Sequence, residues 1–438
     1  MQGGVTLQVA GRQDRSRDTA TAQANDFACC GFEAYGFFDE PQGMRYTADA
    51  LVLGLRRHGH SVTLHTVSDQ LTESGIAGSS TAVPSKVNLF GINPDHVVAL
   101  LRSPHEDPLL GSRLNVIVPF WEVTALPRAW RATLESMDVV VAPTAFVADV
   151  LASAHLNVPI LPQQVVVDVP PASPDRARFG FAADVLVFGF AFGSEAAMER
   201  KNPLGVVEAF LKAFPSEPDV RLAIRINPTG PSSAGVVARL SEVAHGDPRV
   251  LYVTEPLSYD EMLTFYASLD AYVSLHRAEG LGLGLMESMA VGTPVIATGW
   301  SGGTGFMSSD DSLLVGYDLI PVSVGPDSPY RPSVLEGPAV WAEPRIDEAV
   351  AAMRTIREQP LLRSGLGVAA RTAYERALAR AAADDLGRLL GSFWDLRGPE
   401  SVGHDERATQ LGSQPAWPSR SILARTWRKA GRLLRGER

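Results

Sequence analysis

Short apolar runs alternate with helix-periodic stretches along most of the chain. In the first half, residues 26–38, 61–67, 87–92, 114–121 and 138–142 are predicted strands, several of them rich in Val, Ile and Phe. Between them, 46–58, 94–101, 127–136 and 145–154 carry helical spacing. Pro170, Pro171 and Pro174 then punctuate the chain. A second series follows, with strands expected over 184–192, 221–226, 250–254, 271–275 and 294–298, and helices over 204–214, 235–244, 260–268 and 284–291. Strands buried on both faces read as nearly continuous apolar runs, and their alternation with helices implies parallel βαβ units. The expected fold is therefore α/β: two Rossmann-like, doubly wound domains facing a cleft, with ligands beyond the C-terminal ends of the strands.

Composition narrows the function classes. The 438 residues are 45% apolar and 20% charged, which fits a folded globular chain and not disorder or fibre. Thirty-nine Lys and Arg against forty-nine Asp and Glu give −10, which argues against a nucleic-acid partner. No run of ~18 apolar residues predicts a spanning helix. Cys29 and Cys30 are adjacent and too few for a disulfide framework, and the first residues lack a signal-peptide core, so a cytoplasmic location is expected. The charge is uneven: residues 418–438 carry +6, leaving −16 on the first 417. There Leu423, Trp427, Ala430 and Leu434 recur at helical spacing with arginines opposite. Such a segment suits peripheral contact with an anionic membrane; a solvated terminal helix, or contact with the acidic body, fits equally well.

The most informative segment runs from His276 to Thr298. A strand ends at His276, a loop carries Glu279, and Gly280, Gly282 and Gly284 open a helix that carries Glu287. Glycines there admit close approach of a ligand, and a helix N-terminus offers free N–H groups to an anion. A diphosphate with a sugar on one side and a ribose on the other suits this arrangement. The bland alternative is an ordinary strand-loop-helix turn with incidental glycines. Two carboxylates eight residues apart around the glycines make that alternative the weaker one. Neither an Asp-x-Asp nor a His/Cys cluster with metal-ligand spacing occurs, so no metal and no cofactor is expected.

Glu279 and Glu287 with Gly-Leu-Gly between them resemble the signature of the retaining glycosyltransferases of family 4, in the group 1 branch with the GT-B fold. Arg200, Lys201, Asn202 and Pro203 with the helix after them, the glycine loop 297–306, Leu314 to Leu319, and Trp341 to Pro344 are similar to further blocks of that branch. In the first half, Thr47 to His60, Phe120, Trp121, Glu122, Pro127 and Trp130, and Ala142 to Phe146 carry a looser resemblance, and the likeness spans roughly residues 27 to 395. It implies a flexible start over 1–25, an acceptor domain over 26–178, a nucleotide-sugar donor domain over 179–395 whose last helix is free to cross back, and a linker with a basic tail over 396–438.

The resemblance also implies roles. Glu279 would contact the donor hexose, Glu287 the ribose, and Lys201 the diphosphate with Arg200 beside it. Backbone N–H groups around Gly280, Gly282, Leu283, Gly284 and Leu285 would hold the phosphates. Thr254 and Pro256 lie where relatives hold the nucleobase. Glu122 is the candidate for orienting the acceptor hydroxyl, against a structural hydrogen-bonding role; His276 reads as a packing or loop residue at least as readily as a substrate contact, and His58 and His60 as structural residues. The implied activity is transfer of a hexose from a nucleotide-diphosphate sugar to a hydroxyl of a glycan, a lipid-linked intermediate or a natural product. The alternative is a degenerate paralogue or partner subunit that binds the donor without transfer. The chain departs from the family where an arginine is usual at Glu195 or Ala196, where Ala191 replaces an acidic residue, at Gly303 and Gly305, and at the first loop, which keeps Gly43 alone.

Overall fold

The computed structural model describes residues 31–39, 43–67, 85–101, 113–193, 198–227, 233–326 and 328–397. Residues 26–30 of the first expected strand, both cysteines, the Glu195–Ala196 positions and the basic tail lie outside these.

The first half forms one six-stranded sheet: β1 (Gly31–Gly36), β2 (Ser61–Thr66), β3 (Ser85–Phe90), β4 (Leu114–Ile117), β5 (Val139–Ala142) and β6 (Ile160–Pro162), in the order β2-β1-β3-β4-β5-β6. The second half forms another: β7 (Leu186–Gly193), β8 (Val220–Asn227), β9 (Val250–Val253), β10 (Ala271–Ser274), β11 (Val295–Thr298) and β12 (Leu313–Val315), in the order β12-β11-β10-β7-β8-β9. Every pairing in both sheets is parallel. These are the two doubly wound orders, with switch points between β1 and β3 and between β7 and β10. Strands such as β4, β5, β10 and β11 are buried at every position, which is why they read as unbroken apolar runs.

Several expected elements change at their ends. The strand expected over 114–121 stops at Ile117, two residues before Pro119, which cannot donate to a ladder. The helix expected over 127–136 splits into a 3₁₀ turn, Arg128–Trp130, and a short helix, Arg131–Ser136. An antiparallel hairpin, β13 (Tyr317–Pro321) and β14 (Val340–Pro344), and three C-terminal helices, Ile346–Glu358, Pro360–Ala383 and Leu386–Arg397, complete the second half.

The two sheets are tied together. Tyr374, on the helix Pro360–Ala383, accepts from Val169 N at 2.8 Å and donates to Val167 O at 3.0 Å. His58 and His60, just past the first helix, Gly43–Arg57, pair with Ala382 O at 3.0 Å and with the Asp385 carboxylate at 3.3 Å. The final helices thus return to the first sheet, and both histidines fasten them.

Candidate functional site

Both functional segments of the second sheet leave strands that flank its switch point. After β7 comes the short helix Met198–Lys201, then Asn202 in the left-handed region at φ 51°. Asparagine tolerates that conformation, and its side chain caps the helix Pro203–Ala213 by accepting from Gly205 N at 3.2 Å. The same side chain donates to Leu275 O at 2.9 Å, binding the turn to the end of β10. Pro203 supplies a first helical residue that needs no donor. Arg200 and Lys201 are therefore fixed by the reversal that Asn202 makes. Asn202 is a residue to which the sequence reading gave no role, although Asn-Pro is a recognisable helix start.

The loop after β10 places Glu279. Its backbone N–H donates to Ser301 Oγ at 2.9 Å and its carbonyl accepts from Gly302 N at 2.9 Å. Its carboxylate is 8% exposed and takes Lys201 Nζ at 2.5 Å on one oxygen and Arg200 Nη1 at 3.2 Å on the other. Burial alone would raise its pKa; the Lys201 ammonium and then the Arg200 guanidinium overcome burial and hold it at about 2. The two terminal nitrogens of Arg200 face protein groups, while its buried Nε has no hydrogen-bond partner among the described residues. Arg200 also donates to Ala278 O at 2.8 Å and stands 3.7 Å from Glu122 Oε1. Glu122, from the first domain, accepts from Tyr330 Oη at 3.0 Å.

The first domain presses on this loop. Thr144 Oγ1 donates to Gly280 O at 3.1 Å, and a Cβ on Gly280 would sit 3.0 Å from Trp121 O, so only glycine fits without a shift. Gly282 caps the helix Leu283–Ala290 at φ 85°, which favours glycine. The N–H of Leu285 donates to Gly282 O at 3.0 Å, so that donor is spent inside the helix. Leu283 and Gly284, as first helical residues, keep the outward N–H groups. This corrects the expectation that Leu285 belongs to the anion cradle.

Glu287 lies on the same helix but apart from the cations: among the described residues no Lys or Arg pairs with it. It is 5% exposed, and burial pushes its carboxyl up to about 8, against which the neighbouring Tyr259 and Tyr266 hydroxyls work. At neutral pH it is mainly protonated. Tyr46 of the first domain stacks on Tyr259 at 4.3 Å and 22°. His276 is fully buried between Ser274 Oγ at 3.1 Å and Trp300 O at 3.2 Å, and burial lowers its pKa, so it stays neutral. Thr254 and Pro256 are exposed beyond the edge strand β9, outside the charged network. Ala191 faces Arg225 across β7 and β8, and Arg225 hydrogen-bonds only to carbonyls among the described residues. No group of three His, Cys, Asp or Glu able to hold a metal ion occurs among the described residues.

Residues 190–318 match the family described as Glycosyl transferases group 1. The D-inositol 3-phosphate glycosyltransferase of Mycolicibacterium smegmatis is 29% identical over 136 residues, 30% of each chain. The lipopolysaccharide core biosynthesis mannosyltransferase LpsB of Rhizobium meliloti is 33% identical over 95 residues, 21% of this chain and 26% of its own. The match thus spans less than a third of the length of either relative. Among solved structures, sucrose-phosphate synthase from Thermosynechococcus elongatus superposes with a TM-score of 0.60 at 14% identity, over 84% of this chain and 100% of the other. Anabaena HepE in complex with UDP and glucose gives 0.59 at 11%, over 83% and 100%. The two-domain architecture is the GT-B fold, and the stretch holding Lys201, Glu279 and Glu287 carries the pattern of the group 1 glycosyltransferases.

Proposed function

We propose that the protein is a retaining, metal-independent glycosyltransferase that moves a hexose from a nucleotide-diphosphate sugar to an acceptor hydroxyl. The observation that carries this reading is the Glu279–Lys201 pair at 2.5 Å beside the open start of the helix Leu283–Ala290. Glu279 holds hexose hydroxyls, Lys201 and the Leu283 and Gly284 N–H groups hold the diphosphate, and Glu287 receives the ribose. Glu122 orients the acceptor. The sugar C1–O bond to the phosphate breaks as the acceptor oxygen bonds to C1 on the same face. The acceptor proton passes to the leaving phosphate oxygen, so no enzyme nucleophile is needed. A fixed cation beside the leaving group lowers the barrier by stabilising charge as it develops. The nucleotide sugar is a substrate, and the chemistry needs no cofactor.

The relatives' names point to two acceptor classes, a small phosphorylated polyol for one and a lipopolysaccharide core for the other, and both belong in the acceptor panel. No described helix is long and apolar enough to cross a membrane, so contact with a membrane-borne acceptor rests on the basic tail. The second reading, a donor-binding protein without transfer, draws support from Ala191 and from Arg200, whose two terminal nitrogens are turned to Glu279, Ala278 and Glu122. Incubation with a panel of UDP-, GDP- and dTDP-sugars separates the two. Release of nucleoside diphosphate supports transfer; binding with no release, with or without acceptors, supports the second reading.

A further inference from the structure

Residues 328–339 of the hairpin connection leave their own domain and lie along the first. Leu335 bridges Pro127, Arg128 N donates to Val334 O at 2.9 Å, and Glu336 N donates to Leu126 O at 2.8 Å. Arg131 grips the Glu336 carboxylate with two donors at 2.7 and 2.8 Å. Leu335, Tyr330 and Trp341 are buried in one cluster with Trp121, Val123, Leu126 and Trp130, so a strap from the second domain completes the core of the first.

Tyr330 is the strap residue that reaches the site. Its ring packs 5.3 Å from Trp121 and lies 6.0 Å beneath the Arg200 guanidinium. Its hydroxyl donates to Glu122 Oε2 while Arg200 stands at Oε1. Both oxygens of a first-domain carboxylate are thus set by the second domain. A chain of contacts then runs from Tyr330 through Glu122, Arg200 and Glu279 to Lys201. We propose that Tyr330 is a positioning residue for the acceptor step: its hydroxyl, held in place by the packing of the strap against the first domain, fixes the Glu122 carboxylate. This rests on the transferase reading of the same site. A carboxylate that must meet an acceptor hydroxyl loses effect steeply when displaced, since about 1 Å of misplacement costs on the order of a hundredfold.

Tyr330→Phe removes the hydroxyl and keeps the ring. Nucleoside diphosphate release from the sugar-nucleotide panel, with water as acceptor, is measured for the wild type, Y330F, E122Q and the double variant. UDP and GDP affinities and unfolding midpoints are taken alongside. Each single variant is expected to turn over roughly 10- to 100-fold more slowly with nucleotide affinity within about twofold, and the double variant no more slowly than the worse single one, because both break one interaction. Wild-type turnover in Y330F, multiplying losses in the double variant, or a loss traced only to a fallen midpoint overturns the assignment of Tyr330 and leaves the transferase reading standing. No release by the wild type from any donor, with water or with added hydroxyl acceptors, overturns both.

Discussion

Glu279 and Glu287 are eight residues apart and similarly buried, yet the two ends of the cleft treat them oppositely. At one end, two cations reach Glu279 and hold it ionised at about 2. At the other, Glu287 sits among tyrosines and is pushed up to about 8. Burial penalises charge at both positions; Lys201 acts on both carboxyls, but it and Arg200 pair directly with Glu279 alone, and that makes the difference. In the proposed mechanism the hexose end works through fixed charge, whereas the nucleoside end needs a neutral group that shares hydrogen bonds with ribose.

The contrast can be broken most severely at Lys201. Lys201→Ala removes the cation proposed to face the leaving group and is expected to slow nucleoside diphosphate release on the order of a hundred- to a thousandfold. Glu279 keeps Arg200, so the unfolding midpoint should fall far less than for Glu279 variants. Steady-state rates and thermal melts of the purified variant check both.

Glu279→Gln strands the buried Arg200 and the partly buried Lys201, and breaking a buried pair from one side costs about 4 kcal/mol. Because the folded pKa lies below the ordinary 4.5, the wild-type carboxylate contributes fully above about pH 4.5 and loses its contribution as pH falls towards 2. Urea unfolding across that range should show a steep acid loss in the wild type and a shallow one in the variant.

Glu287→Gln should act with the opposite sign. The folded pKa is raised, so the carboxyl's contribution is whole below about pH 4.5 and is lost as pH climbs towards 8. The variant should match the wild type near pH 5 and exceed its stability by ~3 kcal/mol at pH 9. Equal unfolding curves at both pH values would remove the proposed asymmetry between the two glutamates. The smallest effect is expected at the strap: Glu336→Gln loosens a half-exposed ion pair with Arg131 and should lower the melting temperature by about 2 °C without changing nucleotide affinity.

Much of the architecture was legible because parallel strands must be apolar on both faces, so β4, β5, β10 and β11 announce themselves. β6 and β12 were missed: each is a three-residue edge strand with little burial to pattern it. The hairpin was missed as a pair of strands for a different reason. The middle of β13 is exposed, and the strap between its strands finds its apolar partners across the interdomain surface, not in its own domain.

What the sequence determined by itself was the set of candidate groups: Glu279, Glu287, Lys201 and the glycines occur in local motifs whose spacing is itself the signal. What the tertiary structure decided was their charge state and their company. Whether a buried carboxyl is ionised depends on which side chains, distant along the chain, come within a few ångströms of it. Arg200 reaches Glu279 and Glu122 from separate segments, Tyr330 arrives on a strap from the other domain, and Glu287 meets tyrosines where a cation was as easily imagined. Spacing records neighbours along a helix or strand; Coulomb interactions and desolvation follow distance in space, and only folding fixes that distance.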